Sequence, residues 1–298
     1  MKQPGGPSSC SLCGQGRLDT FAALPLAGEQ RFTYLRCRRC GLARLADGQA
    51  DDNLQAFYAA EYEPVCTDFA TGHRSLLSYL RETNFHLMAR RIEATIPTGR
   101  ILDVGCGSGV FLAAMSRRGW DVAGIEPHRA VVEDLRRHHG FDVREGMLDD
   151  TPVDWGPFDV VALLDVLEHL PYPSAALERV WLLLRPGGLL VIATPNVESL
   201  EHRIFGQSWF ALQPPDHLWL FSPHSLKRTV TLAGFVQLSM AASPISYAWP
   251  SLRRLLRIGE PSRTVDAALK ALAALPMGAL GLLRSAPANL ELYARRPA

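Results

Sequence analysis

The sequence predicts an α/β protein built on a parallel sheet, and three observations predict it. From Arg100 onward, short β-rich runs alternate with helical patterns, as strands do when helices cover the sheet between them. A glycine-rich turn, Gly105 to Gly109, follows the first of these runs and opens a helical one. Ahead of this region, residues 1–48 carry four of the six cysteines, in two close pairs.

The predicted strands are Ile101–Val104, Asp121–Ile125, Phe141–Arg144, Phe158–Leu164 and Leu189–Ala193, with two more at Phe235–Met240 and Asn289–Ala294. Helices fall between them at Gly109–Arg118, Arg129–His138, Pro173–Leu184 and Pro223–Ala233. Ser222 and Pro223 make a good helix opening, with serine as N-cap and proline at the first helical position. Residues 49–98 form a helical linker or lid, because Leu76, Leu77, Leu80, Leu87, Met88 and Ile92 recur near every third or fourth position. The third region, 99–298, holds the main domain and a helical insertion, 243–287, before its last strand.

The bulk numbers narrow the class. With 298 residues the chain is long enough for one large α/β domain and an appendage. Its 47% hydrophobic and 20% charged content is that of an ordinary globular protein. A net charge of +1 makes a nucleic-acid partner improbable without excluding a local basic patch. The N-terminus lacks the apolar core of a signal peptide. The run Ala271 to Leu283 is too short and too broken to span a membrane, which takes about 20 apolar residues. The expected location is the cytoplasm, where thiols stay reduced.

The glycine turn carries the first chemistry. Gly105, Gly107 and Gly109 let the backbone approach a ligand with no Cβ in the way, and a helix start behind them offers N–H groups. Gly-x-Gly-x-Gly after Asp103 differs from the dinucleotide fingerprint Gly-x-Gly-x-x-Gly, which cradles a pyrophosphate. A methionine ammonium instead benefits from a nearby carboxylate, and Asp103 offers one. Glu126, at the end of the next strand, is placed to accept hydrogen bonds from both hydroxyls of an adenosine ribose.

The run Leu102-Asp-Val-Gly-Cys-Gly-Ser-Gly109 resembles motif I of class I S-adenosylmethionine-dependent methyltransferases. The runs Phe158 to His169, Leu184 to Asn196 and Asp216 to Leu226 resemble the second half of the same fold, so the likeness covers about residues 100–240. The chain is similar to the ubiquinone-type O-methyltransferases and the small-molecule methyltransferases around them. The resemblance implies a Rossmann-like seven-stranded methyltransferase sheet that binds S-adenosylmethionine. The expected cofactor contacts are Asp103, Gly105, Cys106, Gly107, Gly109, Glu126, Met147, Leu148 and Asp165, the Cys106 thiol being a packing group rather than a nucleophile. Met147 stands where the family often carries an acid near the adenine amine, so backbone groups and apolar contact from Met147 and Leu148 are expected to hold the base.

Methyl transfer asks the protein mainly to position the acceptor, and a general base is needed only when the acceptor must lose a proton. His217, in the Pro- and Trp-rich stretch Pro214 to Trp219, and His169 are the base candidates. His217 serves equally well as a hydrogen-bonding post for a rigid lid. Asp165, Glu168 and His169 follow the fourth strand, and the resemblance implies that such a cluster binds a divalent metal such as Mg²⁺. The alternative is that Glu168 and His169 cap and orient the loop. The stretch Leu164 to Leu167 lacks the motif that clamps an exocyclic amine, which argues against methylation of an adenine amine.

Cys10-x-x-Cys13-Gly and Cys37-x-x-Cys40-Gly read as two knuckles of a four-thiolate zinc site. Four protein thiolates leave no open position, so the zinc is expected to be structural, holding a module too small to fold unaided. Arg31, Arg36, Arg38, Arg39 and Arg44 give the module a basic cast, suited to RNA or an anionic substrate; the other reading is a lid over the acceptor pocket. In the insertion, Arg253, Arg254, Arg257, Arg263 and Arg284 rim apolar runs, so residues 251–284 suit peripheral membrane contact, and equally a dimer interface or a pocket wall.

The leading expectation is methyl transfer to oxygen or carbon of a small molecule: a sugar, a phenol or quinone precursor, or a lipid-linked saccharide. An RNA methyltransferase is the second reading and predicts a continuous basic face from residues 31–44 to the cofactor cleft. A non-catalytic cofactor-binding protein is the third. The oligomeric state is not legible.

Overall fold

The computed structural model describes residues 9–14, 17–25, 31–46, 76–259, 266, 269 and 286–298. A seven-stranded sheet forms the centre. It consists of β4 (Arg100–Val104), β5 (Asp121–Glu126), β6 (Asp142–Glu145), β7 (Phe158–Leu164), β8 (Leu184–Pro195), β10 (Val236–Ser243) and β11 (Asn289–Arg295). The strand order is β10-β11-β8-β7-β4-β5-β6. Only β11 runs against its neighbours, pairing antiparallel with both β8 and β10. All seven predicted strands are present, and β7 keeps its predicted bounds.

The central strands are apolar because helices cover both faces. On one face Ile101, Val160, Ala162, Leu189 and Val191 pack with Met88 and Ile92 of α1 (Leu76–Glu93), with Phe111 and Leu112 of α2 (Val110–Ser116), and with Val132 and Leu135 of α3 (Arg129–His139). On the other, Leu102, Val104, Val161, Leu163, Leu190 and Ile192 pack with Leu177 and Val180 of α4 (Pro173–Leu183) and with Leu226 and Val230 of α6 (Pro223–Leu232). Alternate strand residues thus divide between two cores. α6 opens as predicted: the Ser222 hydroxyl accepts from the Ser225 N–H, and the Ser225 hydroxyl accepts from the Ser222 N–H.

The N-terminal region is joined to the main domain by a shared sheet. Strands β1 (Leu18–Pro25), β2 (Arg31–Cys37) and β3 (Ala43–Leu45) run antiparallel, and β3 pairs in turn with β9 (Trp219–Leu220). Arg44 faces Trp219 across that pairing. Phe32, Tyr34, Leu42 and Leu45 are buried in the same core as α4 and α6. The expected division at residue 48 is therefore not a division of the sheet or of the core.

The insertion contributes α7 (Ala248–Leu256), which lies beside α5 (Leu200–Phe205). The run Ala267 to Leu283 and Cys66 fall outside the described residues, apart from residue 269. So does most of the expected membrane-contact segment and of the linker 49–75. Among the described residues, no helix is long and apolar enough to cross a membrane.

Candidate active site

Between β4 and β7 the order of connection reverses, and in open α/β sheets ligands bind beyond the carboxyl ends of the strands at such a switch point. The glycine turn lies there. The N–H groups of Gly105 and Cys106 both donate to the Ile125 carbonyl, which folds the turn back on β5. Gly107 and Gly109 sit at φ 49° and 72°, the left-handed region that glycine enters at little steric cost. A Cβ at Gly109 would lie 2.5 Å from Leu135, whereas one at Gly107 would meet no protein atom within 4 Å. Gly107 thus borders an open cradle, and Gly109 borders a helix.

Two buried carboxylates frame this cradle. Glu126, at the end of β5, accepts from the Gly107 N–H at 3.0 Å and from the His128 N–H at 3.0 Å. Burial raises its pKa, against the pull of those two amides. Asp103, in β4, is 3% exposed, and its Oδ1 has no hydrogen-bond partner. Burial first, and then the charge of Glu126, push its pKa well up. An orphaned buried acceptor of this kind costs stability until a donor arrives. Cys106 is buried with its sulfur against Gly124, so it meets the cradle through backbone at most, and burial raises its pKa. Across the cleft, the Gly146 N–H donates to the Glu126 carbonyl, Met147 is half-buried and Leu148 is buried.

Beyond β7 lies a second polar cluster. Asp165 has φ 56°, unusual for a residue other than glycine, and its carboxylate accepts from the Asn289 amide at 2.8 Å. The same amide donates to the Tyr247 hydroxyl at 3.0 Å. Glu168 is 1% exposed; its Oε2 accepts from the Thr194 hydroxyl at 3.0 Å, and its Oε1 has no partner. Burial and then the charge of Asp165 push the Glu168 pKa well up. The His169 and His217 rings meet edge to face, with centroids 4.6 Å apart. Burial lowers the pKa of both, that of His217 to about 3, so both imidazoles are held neutral.

Asp165, Glu168 and His169 do not form the expected triplet. The residues that converge beyond β7 are instead Glu168, His169 and His217, with one donor atom of each within 4.8 Å of the others. Asp165 is outside it because the backbone turns at this residue, and only then does a 3₁₀ turn, Leu167–His169, begin. Helical spacing therefore does not align the three side chains, and a site for Mg²⁺ on that set does not fit. Tyr34, Tyr247 and Asn289 belong to the cluster's surroundings and were not singled out in the sequence; each arrives from a distant element, with no local motif to mark it.

A model described as a methyltransferase domain matches residues 43–239. The chain belongs to this methyltransferase family. Ubiquinone biosynthesis O-methyltransferase of Cereibacter sphaeroides is 30% identical over 205 residues, which cover 63% of this chain and 83% of that protein. The like-named protein of Xanthomonas campestris is 34% identical over 133 residues, 43% of this chain and 55% of that one. A solved structure of a SAM-dependent methyltransferase from Archaeoglobus fulgidus matches in fold, with a TM-score of 0.50 at 21% identity over 72% of this chain and 94% of that one. The protein is an S-adenosylmethionine-dependent methyltransferase of class I.

The cleft of this methyltransferase fits that cofactor. The orphaned Asp103 Oδ1 asks for a donor of the kind an ammonium supplies, the Gly107 cradle has no Cβ to fill it, and Glu126 stands at its rim. The N-terminal cysteines also come together. The sulfurs of Cys10 and Cys40 are 3.5 Å apart, those of Cys13 and Cys37 are 3.6 Å apart, and all four lie within 4.8 Å of one another. Ligands at the Zn–S distance of about 2.3 Å sit roughly 3.8 Å apart in a tetrahedron, so the cluster already has the size a metal needs. Gly14 and Gly41 follow the second cysteine of each pair at φ 71° and 72°, and their N–H groups donate to the Cys10 and Cys37 carbonyls. Each pair thus makes a closed knuckle. The hydrogen bond from the Cys40 thiol draws the Cys10 thiol down to about 5.

Proposed function

We propose that the protein transfers the methyl group of S-adenosylmethionine to an oxygen or carbon of a small-molecule acceptor, such as a sugar, a phenol or quinone precursor, or a lipid-linked saccharide. The observation that carries the reading is the pair of buried carboxylates around an open glycine cradle, Asp103 with its unpartnered oxygen and Glu126 on the Gly107 amide. The names of the relatives favour oxygen as the acceptor atom. When bound, the cofactor supplies an electrophilic methyl group. Asp103 would hold the ammonium, Glu126 the ribose hydroxyls, and Met147 with Leu148 the adenine.

The acceptor would lie over Asp165, Glu168 and the loop that carries His217. His169 and His217, both neutral, orient that loop: the Nδ1 of His169 donates to the Asp216 carbonyl and that of His217 to the Ala211 carbonyl, each at 2.8 Å. His217, drawn to about pKa 3 by burial, is a weak base at neutral pH and suits the role of a post better than that of proton acceptor. A structural zinc in the four cysteines would hold β2 and β3, and through them the acceptor loop. The RNA reading is weakened by ion pairing of the module's arginines, because Arg36 is paired with Glu198 of the main domain and Arg38 with Asp19.

Calorimetric titration with S-adenosylmethionine and S-adenosylhomocysteine tests the reading. Micromolar binding that is lost in Glu126→Ala is the expected result. Binding that is unchanged in that variant sinks the site assignment.

A further inference from the structure

We infer that the cavity between the second cysteine knuckle and the start of α6 is a binding site for a neutral saccharide. The cavity measures about 460 Å³ and shares no lining residue with the glycine cradle. Its size falls within the roughly 300–1,000 Å³ that small-molecule sites occupy. Its walls come from β1, from the end of β2 with the knuckle that follows, and from Glu198 and Ser222 of the main domain. It forms where the pairing of β3 with β9 brings the cysteine region onto the main domain. Glu198 lies just past the carboxyl end of β8, on the sheet edge where the glycine turn follows β4.

The polar wall is built in advance. The Arg36 guanidinium donates from Nε to the Gly41 carbonyl at 3.2 Å and from Nη2 to Glu198 at 2.6 Å. It also lies 5.4 Å over the centroid of the Phe21 ring. Arg38, one turn further into the knuckle, is held by Asp19 of β1. All four charged side chains are part-exposed and line the cavity. A guanidinium has five N–H donors and a carboxylate about four lone-pair sites, so each pair keeps hydrogen-bonding edges beyond its own contact. Groups already fixed in this way lose little freedom when a ligand arrives.

The charge pattern selects the ligand. Guanidinium and carboxylate alternate around the wall, Arg36 with Glu198 and Arg38 with Asp19. An anion meets the two carboxylates as well as the arginines, and an amine meets the arginines as well as the carboxylates. Arg39 leaves the lining with three arginines against two carboxylates. A zinc-loaded cysteine cluster offsets that excess, because four thiolates outweigh the charge of the ion and Cys37 and Cys40 belong to the same wall. A hydroxyl both donates and accepts, so neighbouring hydroxyls match a guanidinium–carboxylate pair without breaking it. Phe21, half-buried, adds apolar surface for the C–H groups of a sugar ring. A saccharide meets all of these demands, and phosphate or RNA does not. The inference deepens the proposed function, in which the saccharide is the acceptor or a part of it; that assignment alone rests on it.

Saturation-transfer NMR on the zinc-loaded full chain, with the methyl glycosides of glucose, galactose, mannose and rhamnose as probes, tests the site. Saturable binding of at least one glycoside is expected. Its affinity should fall about tenfold or more in Glu198→Gln and in Arg38→Gln, the cost of a hydrogen bond to a charged group. Thr20→Trp fills the cavity from an exposed position of β1, leaves both ion pairs in place, and is expected to abolish binding. Binding unchanged in these variants, no binding by any of the glycosides, or inorganic phosphate bound in their place overturns the proposal. S-adenosylmethionine titration of the same samples is read separately. Loss of cofactor binding in the wild type would sink the proposed function and leave the glycoside result standing.

Discussion

The hydroxyl of Tyr34 donates a 2.6 Å hydrogen bond to the backbone carbonyl of His217. Tyr34 lies in β2, three residues before the metal-capable Cys37, and is fully buried. His217 lies in the loop just before β9. The bond therefore ties the cysteine region to the loop that carries His217, across 183 residues of chain.

Tyr34→Phe removes that tie and leaves the ring in place. A buried hydrogen bond of this kind contributes about 1 kcal/mol, and the carbonyl left behind adds to the cost. Urea unfolding is expected to show a loss of about 1–2 kcal/mol. Cofactor affinity, set at the other side of β7, is expected to stay unchanged by calorimetry, while KM for the acceptor rises. An equal loss of cofactor affinity would show that the loop and the cofactor cradle are not separable.

Two glycines of the turn separate stability from binding. Gly107→Val adds a side chain where no protein atom lies within 4 Å, so its protein-side cost is the left-handed backbone, about 1–2 kcal/mol. It is expected to fold and to lose cofactor binding. Gly109→Val puts a Cβ 2.5 Å from Leu135 and is expected to lower the melting temperature more. Calorimetry and thermal unfolding on both variants check the contrast; retained affinity in Gly107→Val would move the site.

Much of this was legible because the local signals agree with the tertiary structure. The strands of the main sheet are apolar runs bounded by turns, and β7 matches its prediction residue for residue. The motif Asp103 to Gly109 announced its own turn, and the pairing of knuckle cysteines needed only their spacing. What escaped is non-local. Strand β9 is two residues long and exists because β3 reaches it from far up the chain, so no periodicity marks it. The resemblance groups Asp165 with Glu168 and His169, but the positive φ at Asp165 turns its carboxylate toward Asn289 on β11. His217 joins Glu168 through the packing of a loop.

Asp103 predicts a pH dependence with a definite sign. Its folded-state pKa is raised, first by burial and then by Glu126, so the folded protein holds this proton more tightly than the unfolded chain. Cofactor-free stability therefore falls as pH rises above the unfolded value of about 3.9. It levels off above the folded value. Asp103→Asn removes this loss: the variant is expected to be more stable than wild type at neutral pH without ligand, and to bind the cofactor less well. Urea unfolding from pH 5 to 8, with and without S-adenosylhomocysteine, measures both. A variant less stable than wild type throughout would contradict the buried, unpaired state of this carboxylate.

The cysteine cluster predicts where a lost metal is felt. Cys37→Ser breaks the knuckle that closes on Gly41, at the end of β2 and just ahead of β3. Four-thiolate sites contribute folding energy directly, because the ligands converge only when the ion holds them. Strand β3 is hydrogen-bonded to β9, and the Leu45 N–H donates to the Leu218 carbonyl. The disturbance should therefore run from residues 31–46 into residues 211–220, and not into the glycine turn or Glu126. Metal content is expected to drop by one equivalent, and hydrogen exchange to accelerate in those two segments while 101–126 keeps its protection. Normal metal content in the variant would remove the four-thiolate assignment. Exchange confined to residues 9–46 would instead show that the cysteine region is an independent unit, and that its sheet with β9 carries no support to the acceptor loop.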